Sequence, residues 1–249
     1  MIGLLIATRN EHKVAEIRAI LGPDFRCLSL KDFPGAPEVV EDRDSFVGNA
    51  TKKAVELAKW LGAQPLETLA RLHLNHSGVK AARNSESVFV LADDSGLEVD
   101  ALNGEPGIHS ARFAALDTGV TGNSPSDANN AKLLRLLQSV PGAKRTGRFR
   151  CVVALTPVKG PATESASPVC YADEHELSTE VFEGTCEGRL GFELKGRGGF
   201  GYDPLFLPLG HSVTFAELNE EEKNRLSHRG KALEKLKRRL TTVAGAHGD

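Results

Sequence analysis

With 249 residues, 40% hydrophobic and 26% charged, the chain has the make-up of a folded globular protein with material for one sizeable core or two closely joined lobes, which excludes wholesale disorder. A net charge of -2 offers no bulk attraction to nucleic acid or to an anionic membrane surface, so any basic function must be local. No apolar run is long enough to span a bilayer, and residues 1–8 lack the basic flank of a secretion signal. The four cysteines, Cys27, Cys151, Cys170 and Cys186, form no C-x-x-C pair, so the expected setting is reducing and cytoplasmic.

The first apolar run, residues 2–7, is followed by polar Thr8-Arg9-Asn10, after which Val14, Ile17 and Leu21 recur at helical spacing. That pattern predicts strand, turn, helix. Asn10 is a good N-cap and places Lys13 in the first turn, at the positive end of the helix dipole, where a cation is disfavoured by ~0.3–1 kcal/mol unless an anion sits there. Backbone N–H groups, the Thr8 hydroxyl and the Lys13 ammonium would together cradle a phosphate; a solvated surface lysine is the competing reading. Glu41, after Val39-Val40, reads by itself as a loop carboxylate.

Residues from about 44 to 61 form the second expected helix, with Phe46, Ala50, Ala54, Leu57 and Leu61 on one face. Residues 88–92 are continuously apolar and end at Asp93-Asp94-Ser95-Gly96, which predicts a buried strand opening into a polar loop. Carboxylates at the carboxyl end of such a strand lie where open α/β sheets place ligands, and because neighbouring strand residues face opposite ways, only one of the two aspartates can face a ligand. A turn built on Asp, Ser and Gly is the alternative. A helix over 127–137 and a strand over 149–156 follow. The class is α/β, in one domain over 1–249, with polar stretches at about 62–87 and 158–176 expected as surface insertions; Leu66, Leu69, Leu72 and Leu74 suggest a short helix in the first.

Two further clusters carry candidate chemistry. In Gly198-Gly199-Phe200-Gly201-Tyr202-Asp203-Pro204, glycines permit close backbone approach, the aromatic rings could stack on a flat base and Asp203 could orient a polar group; a tight turn with core aromatics competes. Between Lys223 and Arg239 there are eight Lys or Arg against one Glu. That run attracts phosphate or, failing a ligand, is a solvated helix face. The final helix is expected to carry Leu226, Leu233, Leu236 and Leu240 on one stripe, with Ser227-His228-Arg229 just before it.

As an ordered set, these residues resemble the Ham1-like inosine triphosphate pyrophosphatases, which act on non-canonical purine nucleoside triphosphates. The resemblance runs over most of the chain, from Thr8-Arg9-Asn10-Glu11-His12-Lys13 through Ser45-Phe46, Asn49-Ala50, Ala92-Asp93-Asp94-Ser95-Gly96-Leu97 and Pro106-Gly107-Ile108-His109-Ser110-Ala111-Arg112. It continues through Phe182-Glu183-Gly184, the segment from Gly199 to Phe206, and Glu222-Lys223-Asn224, to Ser227-His228-Arg229. It implies an elongated, two-lobed mixed-sheet protein with a central nucleotide cleft, a homodimer, and Mg2+-dependent cleavage of ITP, dITP or XTP to the monophosphate and pyrophosphate.

By that resemblance Thr8, Arg9, Asn10, Glu11, His12 and Lys13 hold the triphosphate, with Lys13 and Lys223 neutralising its charge. Asp94 is the catalytic carboxylate at the metal, Glu41 helps bind magnesium and Ser95 contacts substrate. Phe200 stacks on the base, Gly201, Tyr202 and Asp203 belong to the same pocket, and His228 with Arg229 reads the purine edge. Donors aimed at a 6-oxo group would reject adenine, whose amino group leaves them unpaired. Arg9 stands where the family often has glycine, and either adds a phosphate contact or points outward. Gly48 stands where the family often has glutamate, so weaker metal binding is expected. Two other readings remain at this stage: the same chemistry on a different base, which side-by-side kinetics separate, and a non-catalytic nucleotide sensor or nucleic-acid module. The acidic residues Glu41, Asp93 and Asp94 argue against the module, since they repel a phosphate backbone.

Overall fold

The structure is a computed structural model and describes residues 2–72, 88–159 and 174–245. In chain order its main elements are β1 (Ile2–Ile6), α1 (Glu11–Leu21), β2 (Phe25–Ser29), α2 (Phe46–Gly62), α3 (Leu66–Ala70), β3 (Val88–Val99), α4 (Ser126–Leu136), β4 (Thr146–Pro157), α5 (Glu174–Leu177), β5 (Glu180–Leu190), β6 (Phe206–Pro208), α6 (Glu220–Leu226) and α7 (His228–Gly245). The six strands hydrogen-bond in the order β2-β1-β3-β4-β5-β6. β1 is parallel to both β2 and β3, whereas β5 and β6 are antiparallel, so the sheet is mixed, as expected for the α/β class.

The chain divides into two compact units, residues 1–94, 152–182 and 236–249 in the first and residues 95–151 and 183–235 in the second. In the first unit β1 is central and fully buried at Leu4, Leu5 and Ile6, and α1 buries Val14, Ile17 and Leu21, the stripe read from the sequence. Asn10 caps α1 by accepting from the amides of His12 and Lys13. α2 starts at Phe46 rather than 44, because Ser45 is held in an extended conformation with its hydroxyl accepting from Gly48 N. In the second unit Phe113, Leu133, Phe149, Tyr202, Phe206 and Phe215 centre the core.

Two sequence expectations need correction, and the described edges of the two expected insertions are packed. The strand that should have opened into a loop after residue 92 instead runs unbroken through Asp93-Asp94-Ser95-Gly96 to Val99, with both aspartates buried. Polar side chains persist in a buried strand when partners satisfy them, and the Lys13 ammonium does so for Asp93. Leu226 is not on the final helix: it ends α6, the backbone turns extended at Ser227, and the Ser227 hydroxyl accepts from Gly230 N to open α7, which puts His228 and Arg229 in its first turn. Finally, the proposed insertions begin as packed structure. Leu69, in α3, and Leu72 are buried, as is Val158, whose amide donates to Val88 O. Residues 73–87, including Leu74, and 160–173 lie outside the described residues.

Three of the eight cations in the basic run bond to β5. Within the second unit Lys231 and Lys235 donate to the carbonyls of Thr185 and Glu183, and in the first Arg239 pairs with Glu180 at 2.7 Å. These positions recur every fourth residue and so lie along one side of α7.

Candidate active site

The candidate residues fall into two groups, one in each unit, that meet in the chain at the Asp94-Ser95 peptide. In the first unit the turn after β1 is drawn tight by its own side chains. Asn10 Oδ1 accepts from two amides of the first turn and Thr8 Oγ1 accepts from Asn10 N at 3.1 Å, so the expected cradle of free amides has three of its N–H groups already taken. Arg9 is exposed, and its Nη2 donates to Ala36 O at 2.9 Å, which ties down the loop after β2. Glu11 pairs with Lys31 on the outer side, which holds its carboxyl below the usual range. His12 is exposed on the same first turn.

Lys13 reaches the other way and ion-pairs with Asp93, whose side chain is buried. Next to it stands a residue the sequence reading missed. Lys53, on α2, is itself buried and donates to Glu41 Oε1 and to the Asp93 carbonyl, each at 2.8 Å. Its signal was available, because Lys53 falls on the stripe of Phe46, Ala50, Ala54 and Leu57, where a lysine must have a buried partner. Gly48 also finds its reason: a Cβ there would come within 2.8 Å of Arg43 Cβ, so the loop carrying Glu41 can lie this close to α2 only over a glycine.

Asp94 is the unusual group in this half. It is buried, its Oδ2 has no hydrogen-bond partner among the described residues, and its pKa is pushed up from 3.8 to about 6. Burial is the main cause, resisted by the charges of Lys53 and Lys13 and reinforced by those of Glu41 and Asp93. Asp93 is committed to Lys13, which leaves Asp94 as the carboxylate with an oxygen to offer. A carboxyl that titrates near neutrality suits proton transfer to or from water. Among the described residues no group of three or more His, Cys, Asp or Glu side chains is placed to hold a metal ion. Burial pushes the thiols of Cys27 and Cys186 up to about 11, so neither is a thiolate nucleophile at neutral pH.

The second unit holds the aromatic and basic residues. Asp203 folds the loop back on itself: its Oδ2 accepts from Phe200 N at 2.8 Å and from Lys223 Nζ at 2.7 Å. Gly199, at φ 70°, is required there because a Cβ would lie 2.1 Å from Asp203 Oδ2. The half-buried Phe200 ring has the Lys223 ammonium 5.2 Å and the Arg229 guanidinium 5.7 Å from its centroid, distances at which cations interact with a π face. Arg229 is buried and its Nη2 donates to Ser95 Oγ at 3.3 Å. His228 is buried beside it at the start of α7.

Two of the expected residues also have a partner within the unit. Lys223, expected at the phosphates with Lys13, is paired with Asp203 as Lys13 is with Asp93, because a buried ammonium needs a carboxylate close by. Tyr202, expected in the base pocket, is a core residue whose hydroxyl donates to Ser110 O at 2.9 Å; burial raises its pKa well above the ordinary value. The loop depends as well on a residue not anticipated. Buried Asn130, on α4, donates its Nδ2 to Gly201 O at 3.0 Å, while the adjacent Asn129 accepts from Ala114 N at 2.8 Å and donates to Ala111 O. An Asn pair just before buried Leu133 on an amphipathic helix was the signal.

Residues 4–239 match the model of the Ham1 family. The chain is similar to a protein of Desulforamulus reducens named dITP/XTP pyrophosphatase, 43% identical over 93% of this chain and 92% of that one. A protein of the same name from Geobacter sulfurreducens is 41% identical over 96% of this chain and 97% of its own. Among solved structures, a HAM1 protein from Coxiella burnetii superposes with a TM-score of 0.69 at 31% identity, covering 97% of this chain and all of that one. A nucleoside-triphosphatase / dITP/XTP pyrophosphatase from Mycobacterium abscessus does so at 0.61 and 34% identity, over 94% of this chain and 97% of its own.

Proposed function

Since the chain belongs to the Ham1 family, we propose that it hydrolyses non-canonical purine nucleoside triphosphates such as ITP, dITP and XTP to the monophosphate and pyrophosphate, clearing them from the nucleotide pool. The observation that carries the reading is Asp94: a buried carboxyl with an unpartnered oxygen among the described residues and a pKa of about 6, under the influence of the Lys53 and Lys13 charges.

The first unit's residues serve the triphosphate. Lys13 supplies positive charge, and an arriving phosphate competes with Asp93 for it. Lys53 holds Glu41 and the Asp93 carbonyl in place and adds a second cation to the same wall. Asp94 orients the attacking water and takes its proton. The second unit's residues serve the base. Phe200 offers a ring for stacking, the Asp203–Lys223 pair fixes the loop that presents it, and Arg229 and His228 supply N–H donors for a 6-oxo purine edge. Ser95 orients Arg229 by accepting from it.

Magnesium fits the donor set. It is commonly held by one or two carboxylates together with substrate phosphates, and Asp94, with its open buried oxygen, and Glu41 are oxygen ligands of that kind. When bound, it neutralises charge on the departing pyrophosphate. The chain is proposed to work as a cytoplasmic homodimer. Phe192, 67% exposed, and Leu209, 79% exposed, supply apolar surface for a second copy, and no helix among the described residues is long and apolar enough to cross a membrane.

The deciding experiment incubates the protein with Mg2+ and, separately, inosine, xanthosine, guanosine and adenosine triphosphates, and distinguishes pyrophosphate from orthophosphate. Pyrophosphate release from the inosine and xanthosine substrates, with little from the adenosine one, is expected. Orthophosphate as the product, or equal turnover of all four, refutes the reading.

A further inference from the structure

Phe149 lies on β4, and its ring faces the imidazole of His228 with centroids 4.7 Å apart and planes only 11° from parallel. Both side chains are buried within the second unit. Phe149 is itself held by two further rings, Phe206 at 4.7 Å in an edge contact and Phe215 at 6.0 Å in a stacked one. The backbone of His228 is fixed as tightly. A Cβ at Gly184 of β5 would lie 2.0 Å from the His228 carbonyl oxygen, so α7 begins against bare backbone, and Ser227 caps its first turn. The imidazole is thus fastened at its backbone by β5 and on one ring face by an aromatic wall from β4.

A histidine ring turns about a broad, two-fold χ2 torsion, and either nitrogen can carry the proton. A loosely held imidazole would therefore present donor, acceptor or C–H edges to a base in turn, and could not tell a 6-oxo from a 6-amino purine. Discrimination needs a donor whose direction is set before substrate arrives. We propose that Phe149 is a positioning residue for base selection: its ring face confines the His228 imidazole to one plane, and so limits the directions in which its N–H can meet the purine to those lying in that plane. Phe149 acts through His228 and touches no substrate. The proposal rests on the reading of His228 as a purine-edge residue.

The test measures kcat/KM for the inosine and adenosine triphosphates in wild type, F149L, H228A and the double variant. Leucine keeps apolar bulk but has no ring plane. F149L should lower the inosine-to-adenosine ratio about tenfold, short of the ~100-fold that a ~1 Å misplacement brings. In the H228A background the same change should leave the ratio where H228A alone puts it. A readout free of catalysis accompanies this: in wild type the His228 ε1 proton resonance carries the ring-current displacement of a stacked phenyl, and F149L removes it. F149M, unbranched and equally ringless, stands in if F149L does not fold. An unchanged ratio in folded F149L, an unmoved resonance, or an equal loss of selectivity with and without His228 overturns the proposal. If H228A alone leaves the ratio intact, the purine-edge reading of His228 is what fails, and Phe149's role falls with it.

Discussion

Replacing Asp94 with Asn should abolish most activity and make the metal-free protein more stable. Asn has the shape of the protonated acid and no charge. Burial raises the Asp94 pKa from its ordinary 3.8 to about 6, so the native state resists ionising this group more than the unfolded chain does. Each pH unit of difference corresponds to ~1.4 kcal/mol, so at pH 7 and above, ionised Asp94 costs the fold about 3 kcal/mol. The sign follows from proton counting. Below pH 3.8 the group is protonated folded or unfolded and the variant gains nothing; between 3.8 and about 6 the folded state holds the extra proton, so wild-type stability falls as pH rises; above about 6 the full difference is present. Urea denaturation of both proteins with a chelator present, from pH 4 to pH 8, should show the curves together at the acid end and D94N higher by about 3 kcal/mol at the alkaline end. Turnover should fall by ~10²–10⁴, the usual contribution of a positioned proton acceptor. A D94N protein no more stable than wild type at pH 8 refutes the buried-charge reasoning, and undiminished pyrophosphate release refutes the catalytic role.

Lys13→Met leaves the buried Asp93 carboxylate without its ammonium and should lower stability by about 3 kcal/mol while weakening binding of a non-hydrolysable triphosphate in a calorimetric titration; unchanged affinity counts against a phosphate role. Tyr202→Phe should cost about 1 kcal/mol in chemical denaturation, through the lost bond to Ser110 O, and leave kcat and KM as they are; altered kinetics in a folded protein would return Tyr202 to the base site. Asn130→Ala should raise KM for the inosine substrate about fivefold at unchanged kcat, matching the ~1 kcal/mol of its bond to Gly201 O, and should spare hydrolysis of an abasic ribose triphosphate. Equal loss on both substrates would mean that Asn130 merely supports the fold.

The two halves of the candidate site were unequally legible. Asn10 and Lys13 were found because capping and first-turn position are local properties, fixed by spacing along one helix. Phe200, Asp203 and Arg229 were marked by glycines and by an ordered likeness to a family, and the comparisons bear out that family. Lys53 and Asn130 escaped because each carries its meaning only through a partner far away in the chain, Glu41 and Asp93 for the one and Gly201 for the other. The strand through residues 93–96 was misread for the same reason: a run of Asp-Asp-Ser-Gly looks like a loop until a lysine 80 residues earlier is seen to satisfy one of its carboxylates.

The amino-acid sequence by itself determined the α/β class, the buried faces of α1 and α2 and the capped first turn, since periodicity and capping act over a few residues and need no knowledge of the rest of the chain. Only the tertiary structure decided that Lys223 pairs with Asp203, that the Tyr202 ring packs in the core, and that of two adjacent aspartates Asp94 keeps an oxygen to spare. Those outcomes depend on burial and on which charges lie within a few ångströms, and both are set by how distant segments pack.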